Sequence, residues 1–362
     1  MTQTAIDYIF MRGGSSRGPY FKRDDLPTSQ DELAEVLIAA IGSGHGLNID
    51  GIGGGNAVTT KVAMLSISDD EWADIDYFFA QVSVETKQVD FKPTCGNILT
   101  GVGPAAIELG LIDAQADITE VKIRAVNTGA KILSRVQTPD HQITYEGDEA
   151  IDGVPGTAAA VELHFMEVAG SSTGSFLPTG QLIDTIDGIE VTCMDVAMPM
   201  VIARAEDFGL TGHESREELD QNRVFFEKME AIRLEAGKRM GMGDVSASVT
   251  PKFGLLAPCD QDGHIISRYF MPWDTHPTMA VTGSQCLSSC ALTSGTIADG
   301  MMTHGGTSPV TVSLHHPMGI MDVLVDYEIK EGQFIHKSAG LKRTARKLAQ
   351  GQVFIPESIW QP

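Results

Sequence analysis

Two residues of this chain combine a reactive side chain with a setting that could put it to use. Cys95 stands in F-K-P-T-C-G-N-I-L-T-G-V-G-P-A-A-I-E-L-G-L-I, residues 91–112. The run reads as an extended approach, a turn at the cysteine and a small-residue helix with Ile98, Val102, Ala105, Ala106 and Leu109 on one face. Gly96 and Asn97 fall at the expected helix start, where backbone N–H groups have no partner within the helix and can hold an anion. Thiols at helix starts tend to be the reactive ones. Cys95 is therefore either a reactive group beside an anion cradle or a small apolar residue ahead of a buried helix. Lys61 follows D-G-I-G-G-G-N, residues 50–56, in V-T-T-K-V-A-M-L-S-I-S. A lysine inside an apolar strand either snorkels its ammonium to solvent or keeps it desolvated. A desolvated amine is a usable base near neutrality.

The elements around these residues must bring them together. An alternating strand over 4–11 leads into R-G-G-S-S-R-G, Arg12 to Gly18, a loop able to offer backbone N–H groups and cations to an anion. It lacks the G-K-[ST] ending of a phosphate-binding Walker loop. A helix follows, with Ser29 and Glu32 as a capping box, a buried stripe of Leu33, Val36, Leu37, Ala40 and Ile41, and an end at Gly42 to Gly46. The glycines of residues 50–56 do not fit G-x-G-x-x-G and precede a strand, which excludes a dinucleotide site. A long strand is expected over 74–90 and a hairpin turned at Asn127–Gly129. Residues 144–156 are acidic and turn-rich, 161–168 form a strand, and 169–180 read as a linker or crossing loop.

A second half begins near Asp184, with strands at about 189–194 and 199–204 and an acidic amphipathic helix from about Arg216 to Met240. After strands at 253–258 and 265–271, M-P-W-D-T-H-P-T-M-A-V-T-G-S-Q-C-L-S-S-C-A-L repeats the design around Cys95: extended segment, Gly-Ser turn, small-residue helix. The halves look like weak copies. Cys286 and Cys290 lie four apart without a His or carboxylate at ligand spacing, so they read as core thiols rather than a metal site. His315 and His316 read as turn or surface residues, and strands close the half at about 309–315 and 320–329. The basic end holds Arg343, Arg346 and Lys347.

With 362 residues the chain is long enough for two or three domains. Its net charge of −22 argues against nucleic acid or an acidic membrane as partner. An anionic substrate would then need local positive groups gathered in one cleft. An odd cysteine count without framework spacing suits a reduced, cytoplasmic compartment. The N-terminal residues carry no secretory pattern, and no run reaches the ~18 apolar residues of a membrane span.

Taken in order, M-R-G-G-S-S-R-G, D-G-I-G-G-G-N with T-K-V-A, C-G-N-I-L-T-G-V-G-P-A-A-I-E-L-G-L-I, I-D-G-V-P-G-T and R-T-A-R-K-L resemble the methylaconitate isomerase (PrpF-type) family over nearly the whole chain. Within it the chain looks closest to the 4-oxalomesaconate tautomerases and Δ-isomerases of gallate and protocatechuate catabolism. Two departures stand out: Ser15 and Arg17 replace a typical Thr and Lys, and W-D-T-H-P-T (273–278) replaces a more usual P-H-x-x-H. The resemblance implies an α/β, diaminopimelate-epimerase-like fold, with each domain a curved, mainly antiparallel sheet around a central helix and the active site in the cleft between them. The domains would be 1–184 plus 341–362, and 185–340. It implies Lys61 and Cys95 as the acid–base pair, with Lys61 the main base.

Carboxylates and the enolate would be held by the amides of Gly96, Asn97, Ser284 and Gln285, with Ser15, Ser16, Asn56 and His276 as polar contacts. No cofactor or metal is implied. The substrate would be a keto tricarboxylate, and the protein a homo-oligomer. Other readings are a methylaconitate or aconitate isomerase, a two-cysteine epimerase, and a non-catalytic polycarboxylate binder.

Overall fold

The chain begins as a hairpin: β1 (Gln3–Gly13) turns at Gly14 and Ser15 into β2 (Ser16–Lys22). Such a short turn needs a left-handed backbone, which Gly14 supplies at φ 51°. The Arg12–Gly18 run is therefore mostly strand, and only its tip is loop. The computed structural model describes residues 2–305 and 307–362.

The chain divides into two units, one running to His164 and taking in Lys342–Pro362, the other Phe165–Leu341. The division after His164 lies ahead of the boundary at 184 drawn from sequence. Residues 169–180 are not a free linker, because they wrap the end of a strand of the second unit. Oδ2 of buried Asp195 accepts from Ser172 N, Thr173 N and Thr173 Oγ1 at 2.7–2.9 Å.

In the first unit β2 is followed by α1 (Gln30–Ile41), β3 (Lys61–Ile67), β4 (Ile75–Val82) and β5 (Val89–Asp90). Then come α2 (Gly96–Leu99), α3 (Val102–Glu108), β6 (Asp117–Ala125), β7 (Ala130–Thr138) and β8 (Ala160–Met166), which ends just past the division. Helix α1 does not carry the expected capping box: Ser29 is its N-cap, but the Ser29 side chain makes no cap hydrogen bond. Burial holds it instead, with Leu33, Val36, Leu37, Ala40 and Ile41 packed on Ile6, Phe21, Val62 and Met64 of the outer sheet face. Each such aliphatic is worth roughly 1.5–3 kcal/mol. The expected strand over 74–90 stops at Val82, where Ser83 N bonds Gln88 O across a turn.

The second unit holds β9 (Asp184–Ile186), β10 (Ile189–Asp195), β11 (Pro199–Arg204), α4 (Arg216–Gln221), α5 (Arg223–Arg239), β12 (Lys252–Pro258) and β13 (His264–Phe270). It continues with α6 (Val281–Leu292), β14 (Val310–His316) and β15 (Gly319–Lys330). The single helix expected over 216–240 is two, because the Asn222 side chain accepts from Phe225 N and starts α5 afresh. Its outer helix α5 buries Phe225, Met229, Ile232 and Ala236 against Val201, Ala203, Phe253 and Leu255. The last strand, β16 (Gln333–Pro356), pairs with β15 at its start and with β1 at its end.

The strands of the two units follow one pattern. In the first unit β1–β2 is antiparallel, β2–β3 parallel, β3–β4 antiparallel, β4–β6 parallel and β6–β7 antiparallel. In the second, β10–β11, β11–β12, β12–β13, β13–β14 and β14–β15 repeat that alternation in the same order. The helices fall at matching points: α1 and α5 before the third strand of each set, α2–α3 and α6 after the fourth. The internal duplication is thus built into the hydrogen-bond ladder. Strand β12 matches β3, and α6 matches α2–α3.

Candidate active site

In the first unit the side chains of β3 divide cleanly between two faces. Val62 and Met64 point outward into the core beneath α1, so Lys61, Ala63 and Leu65 point inward. On β4 the paired residues Gln81, Phe79 and Tyr77 share that inner face, and Tyr20 of β2, opposite Ala63, joins them. Two buried tyrosines of this face hold the turn at Cys95. Tyr20 donates its hydroxyl to Ile98 O at 2.6 Å, and Tyr77 donates to Cys95 O at 3.4 Å. Burial pushes both phenols well above their usual range, with Cys95 nearby adding to it, so they serve as neutral donors. Lys61 and the Cys95 turn are thus carried on one face by one set of strands.

Lys61 opens β3 and is half-buried. Its Nζ donates to Gln81 Oε1 at 3.0 Å and lies 5.5 Å from the Phe79 ring centre. Gln81 is a site residue that sequence reading missed. Its signal was available only through pairing, since it stands opposite Lys61 on the neighbouring strand. Gly18 of β2 packs directly against the Lys61 carbonyl, where a Cβ would collide.

Cys95 is half-buried and caps α2 without a side-chain hydrogen bond. The helix it opens is not the long one expected. α2 is a single turn, and the chain re-forms as α3 beyond Gly101. A one-turn helix sums few peptide dipoles, so any anion here would be held by the local N–H groups of Gly96 and Asn97 rather than by a macrodipole. Asn97 also reaches the first hairpin: its Nδ2 donates to Ser15 Oγ at 3.2 Å, and Ser15 N donates to its Oδ1 at 3.4 Å.

Ser16 stands opposite Gly13, which packs on Asn97 O, and so shares the inner face. Its hydroxyl is buried with no hydrogen-bond partner among the described residues, an arrangement that ordinarily costs about 1–3 kcal/mol. Asn56 is exposed, and its Oδ1 accepts from Val58 N at 3.1 Å as the cap of a short turn over Ala57–Thr59. That oxygen is committed to the fold rather than to a ligand.

In the second unit the sequence placed the start of α6 too late. The helix begins at Val281 with Ala280 as N-cap, so Ser284 and Gln285 are helical residues, and Ser284 N already donates to Ala280 O at 2.8 Å. The groups without intrahelical acceptors are the N–H groups of Val281, Thr282 and Gly283. The misreading has a physical cause. Gly283 is a glycine because the Tyr269 ring fills the space of its Cβ, not because the chain turns there. Ser284 and Gln285 are fully buried, and among the described residues both amide atoms of Gln285 lack partners.

His276 lies beside this start. Its backbone N–H donates to Tyr269 O at 2.8 Å, its Nδ1 accepts from Thr278 N at 3.0 Å, and its ring meets that of Tyr269 edge-on at 5.7 Å. Burial holds the imidazole below its usual range; the Thr278 bond opposes this, and Arg216 and Lys252 add to it.

The thiols of α6 behave as expected of core residues. Cys286 is fully buried with its Sγ on Met194 O at 3.5 Å, and burial raises it well above the thiol range. Cys290, also fully buried, is pushed up to about 12. Neither is available as the base that a two-cysteine epimerase requires. Among the described residues no group of His, Cys, Asp and Glu could hold a metal ion, and no helix is long and apolar enough to cross a membrane.

Comparison with known proteins agrees over the whole length. A family described as "PrpF protein" matches residues 3–356. YbhH of Escherichia coli (strain K12) is 46% identical over 97% of this chain and 99% of its own. The 4-oxalomesaconate tautomerase of Pseudomonas putida (strain KT2440) is 42% identical over 99% of each chain. Among solved structures, one described as methylitaconate-delta-isomerase superposes with a TM-score of 0.88 at 32% identity, covering 99% of this chain and 97% of its own.

Proposed function

This chain belongs to the PrpF family and is an isomerase, and on that premise we propose that it moves a proton within a keto tricarboxylate, 4-oxalomesaconate, without a cofactor. Lys61, as the neutral amine, takes a proton from carbon made acidic by a neighbouring carbonyl or conjugated carboxylate. The electron pair moves onto the carbonyl oxygen as an enolate. A proton then returns at oxygen or at the allylic carbon. Cys95 donates or relays that proton, and the N–H groups of Gly96 and Asn97 with the hydroxyls of Ser15 and Ser16 take up carboxylate and enolate charge. The observation that carries the reading is the shared inner face. Strand register points Lys61 toward the side on which Tyr20 and Tyr77 hold the Cys95 turn. The tautomerase relative, 42% identical over 99% of each chain, supports the choice of substrate.

Incubation with 4-oxalomesaconate in D₂O tests it. The expected result is deuterium wash-in with a change in ultraviolet absorbance. No wash-in from 4-oxalomesaconate, together with turnover of 2-methylaconitate or methylitaconate, would reassign the substrate within the same chemistry. Silence on all three overturns the reading.

A further inference from the structure

The edge of β4 that faces away from β3 is covered in pieces. Strand β6 covers it as far as Tyr77, where Val126 N donates to Tyr77 O at 2.9 Å. Strand β5 covers it again from Gln81, which pairs with Asp90. Phe79 lies between them, and its backbone N–H and C=O point into the gap. The side chain of Asn127 fills that gap. Its Oδ1 accepts from Phe79 N at 2.9 Å and its Nδ2 donates to Phe79 O at 2.9 Å. The amide thus does what a peptide group of a neighbouring strand would do. Asn127 itself is half-buried in the turn between β6 and β7.

The same Nδ2 also donates to Phe91 O at 2.6 Å. Phe91 is the first residue past β5, where the chain leaves the edge of β4, and its ring stays stacked on Phe78 at 5.4 Å. Had β5 run on, its own backbone would have met this edge of the sheet. Asn127 takes that place and releases the chain, which continues through Pro93 to the turn at Cys95. There Tyr77, also of β4, donates to Cys95 O. The departing segment is therefore tied to β4 at both ends, by Asn127 at Phe91 and by Tyr77 at Cys95. The other half of the Asn127 contact fixes Phe79, whose ring centre lies 5.5 Å from Lys61 Nζ. One acceptor and two donors are needed at a single side chain, and an amide supplies them. A carboxylate would stand against two carbonyls, and an apolar side chain would leave all three groups unmet.

We propose that Asn127 is a positioning residue for the isomerase reaction. Its one amide fixes β4 beneath Lys61 and the point from which the chain departs toward Cys95, and so sets where each stands relative to the other. Its bonds go to Phe79 and Phe91, and it acts on Lys61 and Cys95 only through them. The proposal rests on the reading of Lys61 and Cys95 as the reacting groups given above.

The test uses the whole chain, with Asn127→Asp and Asn127→Ala each measured in two ways. One is kcat and KM with 4-oxalomesaconate. The other is the rate at which Cys95 takes up a thiol reagent, with Cys259 of the second unit as the reference in the same molecule. Both variants are expected to lose kcat by about ten- to a hundredfold, the usual effect of misplaced reacting groups, with KM nearly unchanged. Cys95 should label several-fold faster while Cys259 keeps its rate. Thr119→Val breaks the buried Thr119–Thr138 hydroxyl pair of the same unit, which has no bond to Phe79 or Phe91. It should lower the melting temperature and leave both readouts as in wild type. Unchanged kcat or an unchanged Cys95 rate in the Asn127 variants overturns the proposal. So does a loss of kcat in Thr119→Val that matches theirs at the same loss of melting temperature. Failure of the reading beneath it shows separately, as wild type that does not turn over 4-oxalomesaconate or as turnover retained in Lys61→Met. The Cys95 rate then decides, since it needs no substrate.

Discussion

The Lys61 amine nitrogen lies 3.0 Å from Oε1 of Gln81, and the amide that offers this oxygen is fixed the right way round. Its Nε2 donates to the carbonyls of Ala57 and Val82 and to Thr60 Oγ1, at 3.1, 3.3 and 3.2 Å. Flipping the amide would set an N–H group against the lysine and two carbonyls against an oxygen. Gln81 thus holds Lys61 over Phe79 by a contact that only one orientation allows.

Replacing Gln81 with Leu should leave the amine unanchored. Turnover is expected to fall by ~10- to 100-fold, the usual effect of a misplaced catalytic group, with KM less affected. Gln81→Glu puts a carboxylate beside the nitrogen and favours its charged form. If Lys61 works as the neutral amine, the acid side of the kcat–pH profile then moves to higher pH. A profile that stays in place while kcat and melting temperature fall together would show that Gln81 only braces the fold.

Lys61→Met removes the proposed base while keeping an unbranched apolar stem beside Phe79. Near-complete loss of turnover and of deuterium wash-in is expected, with the melting temperature unchanged or raised. A variant that still exchanges deuterium at a substantial rate would assign proton abstraction to another group.

The sequence made some of this arrangement legible and hid the rest, for physical reasons. Composition and motif order pointed to two similar units, and apolar periodicity located α1 and β3. Glycines were the main source of error, because one residue type answers two demands. At Gly14 it supplies a left-handed turn, as expected of a Gly-rich run. At Gly18 and Gly283 it makes room, for the Lys61 carbonyl and the Tyr269 ring, inside elements that run straight through. Reading Gly283 as a turn displaced the start of α6 and wrongly assigned Ser284 and Gln285 as amide donors. Gln81 was missed because its place beside Lys61 lies in strand pairing, which no local pattern reveals. The Ser29–Glu32 pair had the right spacing for a capping box, but the apolar stripe of α1 was enough to hold that helix without it.

The cysteines should separate by accessibility. Cys193, Cys286 and Cys290 are buried, and burial raises all three thiols, Cys193 to about 12. Cys95 and Cys259 are partly exposed. A thiol-specific reagent applied to the native protein should label these two and spare the others until the chain is unfolded. Cys95→Ser should remove one of the two fast sites. If its turnover falls only a few-fold, the thiol is secondary to Lys61 and the N–H groups of the turn carry the larger share.

His336 gives the second unit a defined response to acid. It sits in the first part of β16 with its ring 6.4 Å from that of Phe176, and its Nε2 is buried without a partner among the described residues. Burial lowers its proton affinity so that it titrates at about 4, against a weaker opposing pull from Asp326. An unfolded histidine titrates near ~6.5, so between these values the unfolded chain binds a proton that the folded chain refuses. Stability is therefore full above about pH 6.5 and falls as the pH drops toward about 4, where the difference ends. Each tenfold change in proton affinity is worth about 1.4 kcal/mol, so a shift from 6.5 to about 4 corresponds to roughly 3–4 kcal/mol. His336→Phe keeps an aromatic ring beside Phe176 and removes the proton site. Denaturant unfolding at about pH 7.5 and about pH 5 should show wild type losing stability between the two, and the variant losing less. Equal losses in both proteins would place the acid sensitivity elsewhere.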